Sequence, residues 1–359
     1  MELKEIYLKL VEVGAPSGYE EPMMRHMVSE LEPLVDEVHL TPRGNVVGVQ
    51  KGTDKDAPSV ALEAHLDQVG LVVSNIDGRG FIRFRRLGGT MSRTLMGQHV
   101  KILTEKGPVY GVVGVKPGHV TTPEEVNTVP PLESMYIDVG AWNREEVEAL
   151  GVIVGTPMVL NAPAVELANG LMVSPGADDK VGLATLIAVA QELKDKPIPA
   201  TVYYAAAVEE EIGLKGAYSV LYDLDVDMAV AIDTTPVGYQ PDVNSRDLVC
   251  EIGKGPALHY GEQRMGGIHA VNHHRVREWM RAAAEEEGIT YQENFHFGGT
   301  DGIAMAQTRS GIPVATVGIP RRYSHSQIEA FYMKDLEGAV EILIAAVKRL
   351  DSGFSLQRA

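Results

Sequence analysis

Five separated segments of the chain carry acids and histidines where apolar stretches stop. "ALEAHLDQVG" ends a strand-like run with His65 and Asp67, two residues apart and so on one face of a strand. "PGADDKVG" puts Asp178 and Asp179 at a helix start, and "AVEEEIGLKGA" puts Glu209, Glu210 and Glu211 after an apolar strand. Asp233 follows "DMAVAI", and His325 lies in "GIPRRYSHS" just past "PVATV". Several carboxylates in one partly buried crevice cannot all stay ionised without compensating positive charge. No lysine or arginine recurs at these segment ends to supply it. Divalent metal ions would, and two histidines among oxygen ligands suit zinc, cobalt or manganese better than calcium or magnesium. Two such ions sharing one carboxylate would organise a water for hydrolysis.

The elements that must position these groups change texture along the chain. Residues 1–35 read as an amphipathic helix, a "GAPSGYEEP" turn and a second helix, and short strands follow to about residue 75. From about 76 to 164 strands and glycine turns dominate, with one short helical stretch in "NREEVEALG". That spacing predicts a small β-barrel or sandwich. Val112, Val113 and Val115, with Ile153 and Val154, are expected in its core. After 170 the pattern alternates: helices over 179–194, 213–223, 269–287 and 334–350, strands over 201–208, 228–232 and 313–318. Alternation predicts an α/β layered sheet. In such open sheets ligand sites form at the C-terminal strand ends, where all five segments fall. The expected organisation is a catalytic α/β domain built from 1–69 and 166–359, with residues 70–165 inserted as a β-barrel.

Composition narrows the function. The 359 residues suffice for a large core and two domains, and 45% hydrophobic with 23% charged residues describes an ordinary globular chain. A net charge of −17 argues against nucleic acid or an anionic membrane as partner. The single cysteine, Cys250, excludes an internal disulfide framework and suits a reducing cytosol. "MELKEIYLKL" has no uninterrupted apolar core, so it does not read as a signal peptide, and no apolar run is long enough to span a membrane. A cytoplasmic protein is expected.

Taken singly, each segment has an ordinary explanation: a hydrogen-bonded core histidine, acids at a helix N-terminus, a solvated turn, a strand-ending aspartate. Their joint placement at one sheet edge favours a metal site. Other candidates carry less. "HAVNH" (269–273) has two histidines one helical turn apart, but Ala270 stands where a zincin helix needs glutamate, so it reads as a solvated helix face. The arginines of "FIRFRRLGG" alternate with apolar residues as on an outward strand face, and "FGGTDG" reads as a glycine turn into a capped helix. No G-x-S-x-G elbow supports serine catalysis.

The ordered set "AHLDQVG", "GADDKVG", "EEIGLKGA", "AIDTT", "GGTDG" and "RRYSHS", with "GAPSGYE" and "MYIDVGAWNREEVEALGVIVGTPM", resembles the tetrahedral (TET) family of co-catalytic metallo-aminopeptidases over essentially the whole chain. That family includes glutamyl aminopeptidases and proteins often labelled cellulase M. The resemblance implies a layered α/β/α metallopeptidase domain with an inserted small β-barrel. It makes Asp178 the carboxylate bridging two divalent ions, zinc or cobalt foremost and manganese also. One ion would add His65 and Asp233, the other Glu211 and His325. Glu210 would be the general base, and Asp67 would orient His65. Short peptides would be the substrates. The insert would join subunits into a homo-oligomer, from a dimer up to a dodecamer. Departures are Gln68, where many relatives have an acid, Lys180, where they have arginine, and Gly302, where alanine is usual.

Three activities compete: an aminopeptidase, a deacylase of N-acylated small molecules that the same metal core would serve, and a glycosidase, as the cellulase label on members of the resembling family suggests. Glycosidases need carboxylates roughly 5–9.5 Å apart across a sugar ring. The adjacent Glu210 and Glu211 do not offer that spacing, which leaves the aminopeptidase as the leading expectation and the deacylase as its alternative. A non-catalytic binding protein would be expected to have lost the base.

Overall fold

The computed structural model describes residues 1–357 apart from 245, 247, 265 and 266. The chain opens with helices α1 (Leu3–Glu12) and α2 (Glu21–Leu31), then strands β1 (Glu37–Leu40), β2 (Val46–Gln50) and β3 (Val60–His65). Next come β4 (Gly70–Ile76), β5 (Ile82–Leu87), the four-residue helix α3 (Ser92–Leu95), β6 (His99–Thr104) and β7 (Gly107–Val113). They are followed by β8 (Ile137–Asp138), helix α4 (Arg144–Ala149) and β9 (Pro157–Leu160). Two short strands, β10 (Val165–Glu166) and β11 (Leu171–Ser174), lead into helix α5 (Ala177–Leu193). The second half runs β12 (Val202–Ala207), α6 (Ala217–Val220), β13 (Met228–Pro236), β14 (Ala257–Arg264) and β15 (Gly267–Val271). It ends with α7 (His274–Glu287), β16 (Gln292–Phe297), α8 (Asp301–Met305), β17 (Val314–Arg321), β18 (Glu329–Tyr332) and α9 (Met333–Lys348).

The main sheet has the order β1-β2-β12-β3-β13-β17-β14-β15, with β16 beside β14. Its centre, β12-β3-β13-β17, is parallel, so the C-terminal ends of these strands share one edge. Register aligns them there: Ala207 lies opposite His65, and Asp233 opposite Gly318. The pleat sorts side chains by size. Val60, Leu62, Tyr204, Val230 and Ile232 face a large core under α1, α5, α7 and α9. The intervening Ala61, Ala205, Ala229 and Ala231 face the short α6 and α8, which alanine lets approach closely. The domain is thus layered α/β/α.

Strands β4-β5-β8-β7-β6-β9 close a barrel between β3 and β10. Leu71, Val73, Ile82, Phe84, Ile102, Ile137 and Met158 fill it. The expected barrel core is corrected in part. Val113 is buried, but Val112, Val115, Ile153 and Val154 are exposed. Val112 takes the outward face of β7 where Val113 takes the inward one, and Val115, Ile153 and Val154 lie beyond the strand ends, in connecting segments.

Two helices are shorter than expected. The region 213–223 is largely turns around α6, and "HAVNH" is no helix face: His269 lies in β15, and α7 begins at His274. Strand β15 pairs with β14, a strand the periodicity did not show, and this hairpin overrides local helical spacing. Among the described residues no helix is long and apolar enough to cross a membrane.

Candidate metal centre

The parallel register delivers the acids and histidines to one edge. His65 ends β3, Glu210 and Glu211 follow β12, Asp233 sits in β13, and His325 follows β17. Asp178 enters from the first turn of α5 with non-helical φ/ψ, so its side chain leaves the helix face and turns to the sheet. His65, Asp178 and Asp233 form one group and Asp178, Glu211 and His325 a second, with the candidate ligand atoms of each within 4.8 Å of one another. Asp178 belongs to both. Its Oδ1 lies 3.1 Å from His65 Nε2, and its Oδ2 lies 3.3 Å from His325 Nε2.

Asp67 lies just behind these groups and is buried. Its Oδ1 accepts the Glu210 N–H at 2.9 Å, and its Oδ2 accepts the Glu211 N–H at 3.2 Å and the Ser17 hydroxyl at 2.6 Å. His65 Nδ1 lies 2.9 Å from the Asp67 carbonyl oxygen and 3.5 Å from its carboxylate. One residue thereby fixes both the ring of His65 and the turn that carries the glutamate pair. Glu209 does not join the cluster: its carboxylate turns outward to Arg43 Nη1 at 2.8 Å. Its φ of 57° and the φ of 55° at His325 are left-handed values that β-carbon residues seldom adopt. Each is held by a buried acid, Glu20 accepting the Glu209 N–H at 3.1 Å and Glu329 the His325 N–H at 2.7 Å.

The expectation that no cation serves these strand ends is corrected. Arg321, the last residue of β17, is buried and donates from Nη1 to Asp178 Oδ2 at 2.8 Å and to Glu329 Oε1. It lies within "RRYSHS" itself, four residues before His325, at the end of a strand buried along its whole length. Lys180 is also buried and donates to Gln68 Oε1 at 2.7 Å. The two departures from the resembling family at 68 and 180 therefore touch each other.

Electrostatics follow from this burial. Burial pushes Glu210 and Glu211 well above the carboxylate range and Asp233 up to about 8. Asp178 goes the other way: against burial, Arg321 and the two imidazoles hold it well below its ordinary value. His325 rises to about 9 against burial, through Asp178 and Glu211. Protons thus do what divalent ions would do better, and Glu211 Oε1 is buried without a hydrogen-bond donor. The donor set of imidazoles and carboxylates fits zinc, cobalt or manganese. A cavity of about 440 Å³ opens over the cluster, walled by Asp178, Glu210, Glu211, Asp233, Arg321 and His325 and rimmed by Leu214, Pro236 and Phe297.

The barrel supplies no acid or histidine to either group, yet it reaches them. Its loop after β5 packs Gly88 and Gly89 onto Glu211 and His325. A β-carbon at Gly89 would lie 2.7 Å from His325 Nδ1. Gly89→Ala is expected to push the imidazole aside and cut activity by at least ~10-fold with the fold intact. Gly78→Ala, where a β-carbon meets nothing within 4 Å, is the neutral control. Equal turnover of the two variants would show that the loop does not hold His325.

Glu20 gives a pH signature away from the cluster. Burial pushes its carboxyl up to about 7, against the Gly18 N–H bond and with Asp67 adding repulsion. The folded chain then holds a proton that the unfolded chain releases near 4.5, so stability falls as pH rises through about 7. Glu20→Gln keeps the acceptor oxygen and removes the titration. Relative to this variant, the parent should lose about 3 kcal/mol between pH 4.5 and 8. Urea midpoints that run parallel across that range would contradict it.

Residues 44–342 match the family described as M42 glutamyl aminopeptidase. The chain is 33% identical to the lysyl aminopeptidase of Pyrococcus furiosus, over 96% of this chain and 97% of that one. Among solved structures, aminopeptidase APDkam598 from the archaeon Desulfurococcus kamchatkensis superposes with a TM-score of 0.93 at 33% identity, covering 99% of this chain and 96% of that chain. The Pyrococcus horikoshii TET1 peptidase, which can assemble into a tetrahedron or a large octahedral shell, gives 0.85 at 28% identity, covering 97% and 100%.

Proposed function

This chain belongs to the M42 glutamyl aminopeptidase family and is an aminopeptidase, and from that premise we propose that it removes N-terminal residues from short peptides with two divalent ions and a glutamate base. The observation that carries the reading is Asp178, whose two oxygens serve two separate ligand groups under one cavity. His65 and Asp233 would complete one ion site, Glu211 and His325 the other. Bound there, the ions would supply an acidified water and a Lewis acid for the scissile carbonyl.

The rest is done by the chain's own groups. Glu210 belongs to neither ligand group and lines the cavity, so it is free to take a proton from the attacking water and return it to the leaving amine. Asp67 holds the backbone of Glu210 and Glu211 in register and, through its carbonyl, keeps His65 Nε2 toward Asp178. The free N-terminal amine would sit near the second ion or a nearby acid, which would restrict cleavage to the first residue.

Assembly rests on the barrel. Trp142 is 85% exposed, and Ile153 and Val154 are each 59% exposed on the same domain. An apolar surface of this kind on an inserted domain suits contact between copies of the chain, as in the assemblies formed by the Pyrococcus horikoshii peptidase. Light scattering should report a species larger than the 38.9 kDa chain. A monomer at micromolar concentration would contradict this.

The substrate class is tested with one good peptide in two forms, free and N-acetylated. Acetylation should remove measurable cleavage. Hydrolysis of the acetylated form alone would favour the deacylase alternative.

A further inference from the structure

Arg321 stands in an unusual place for a permanent cation. It is 5% exposed; its Nη1 donates to Asp178 Oδ2 at 2.8 Å and to Glu329 Oε1 and its Nη2 to Ser324 Oγ at 2.7 Å, while its buried Nε has no hydrogen-bond partner among the described residues. The two oxygens of Asp178 divide the cluster. Oδ1 faces His65, and Oδ2 faces His325. The guanidinium therefore sits on the oxygen that serves Glu211 and His325. The two histidines also differ in exposure, the His65 side chain being 3% exposed and the His325 side chain 29%.

On the two-ion reading above, we propose that Arg321 ranks the two sites. It weakens the Asp178–Glu211–His325 site for a divalent cation relative to the His65–Asp178–Asp233 site, so that the ions load in sequence and the outer one exchanges. Two physical terms act together. A fixed positive charge a few ångströms from an incoming dication repels it strongly where water is scarce. Arg321 also occupies a lone pair of Asp178 Oδ2, leaving that oxygen a poorer donor. His325 can shed its proton to admit an ion, whereas a guanidinium stays charged throughout. Arg321 also acts through space on Asp233 of the inner group. Among the described residues, however, no cation is hydrogen-bonded to that group's shared oxygen, Asp178 Oδ1, which faces the His65 imidazole; the ranking rests on the bond to Oδ2.

The experiment titrates zinc into the metal-stripped full chain by calorimetry, with chelator competition and elemental analysis of the loaded protein. The parent chain should bind two ions with distinct affinities. Arg321→Gln keeps a donor for Asp178 or Glu329 but removes the charge, and it should tighten the weaker site by ~10-fold or more while moving the tighter one far less. Arg321→Lys keeps the charge and should keep the weak site weak. Arg321→Met gives a second neutral side chain of similar length, so a folding defect in one variant does not decide the result. Thermal melts of the stripped proteins establish that the variants compared are folded.

Neutral variants that bind both ions as the parent does, or that lose affinity at both sites alike, overturn the ranking while leaving the two-ion reading intact. A parent chain that binds no ion refutes that reading and the ranking with it.

Discussion

Glu210→Gln is expected to lower turnover by about 10²–10⁴ while the protein keeps its full complement of metal. The side chain keeps its size and loses only the ability to accept a proton. Its backbone stays bonded to Asp67 Oδ1, and it belongs to neither ligand group, so nothing that would hold an ion is removed. Burial pushes the Glu210 carboxyl well above its ordinary value. Steady-state kcat and metal stoichiometry on the same preparation check the expectation. If Glu210→Gln stripped the metal while Glu211→Gln retained it, the roles of the two neighbours would be exchanged.

Asp178→Asn should go further and abolish both metal binding and activity. Asp178 is the one residue common to both groups, and its carboxylate holds its charge where Glu210, Glu211 and Asp233 give theirs up to burial. The amide presents one acceptor where two are needed and offers an N–H to a histidine or Arg321 that is itself a donor. Chelation of the parent enzyme should give the same loss, reversed by zinc or cobalt. The variant should stay inactive when the ions are returned. An Asp178→Asn protein that retains two ions, or a parent fully active in chelator, would defeat the assignment.

Much of this arrangement was legible in the sequence for a simple reason. Strand ends are marked by apolar runs that stop, and a parallel sheet gathers such ends on one edge. His65, Asp233 and the glutamate pair therefore declare their neighbourhood one segment at a time. The barrel was legible as a region, but its inner face was not, since "YGVVGV" is apolar on both sides and only the pleat selects Val113. Strands β14, β15 and β16 escaped notice because their side chains are mixed, as in "LHYGEQR", and their stability comes from pairing across the chain. Arg321 escaped because a charge beside a charge cluster reads as solvated until the register shows which way it points. Gln68 and Lys180 carried a hint of their own: two departures from a familiar pattern, 112 residues apart, are best understood as one contact.

The glycine loop that rests on Glu211 and His325 bears on how such proteins are taken apart and recombined. A barrel that only decorated its host could be exchanged between relatives at the strand ends, like a cassette. Here cuts flanking the barrel strands, before Gly70 and after Leu160, would carry residues 88–90 away with the barrel, and with them one wall of the imidazole's seat. A chimera given a foreign barrel inherits that donor's loop, so its hydrolytic competence should track the match at two glycine positions and not the quality of the barrel itself. Evolution faces the same constraint: whatever its outer faces do in assembly, at one turn this barrel is tied to the chemistry of its host.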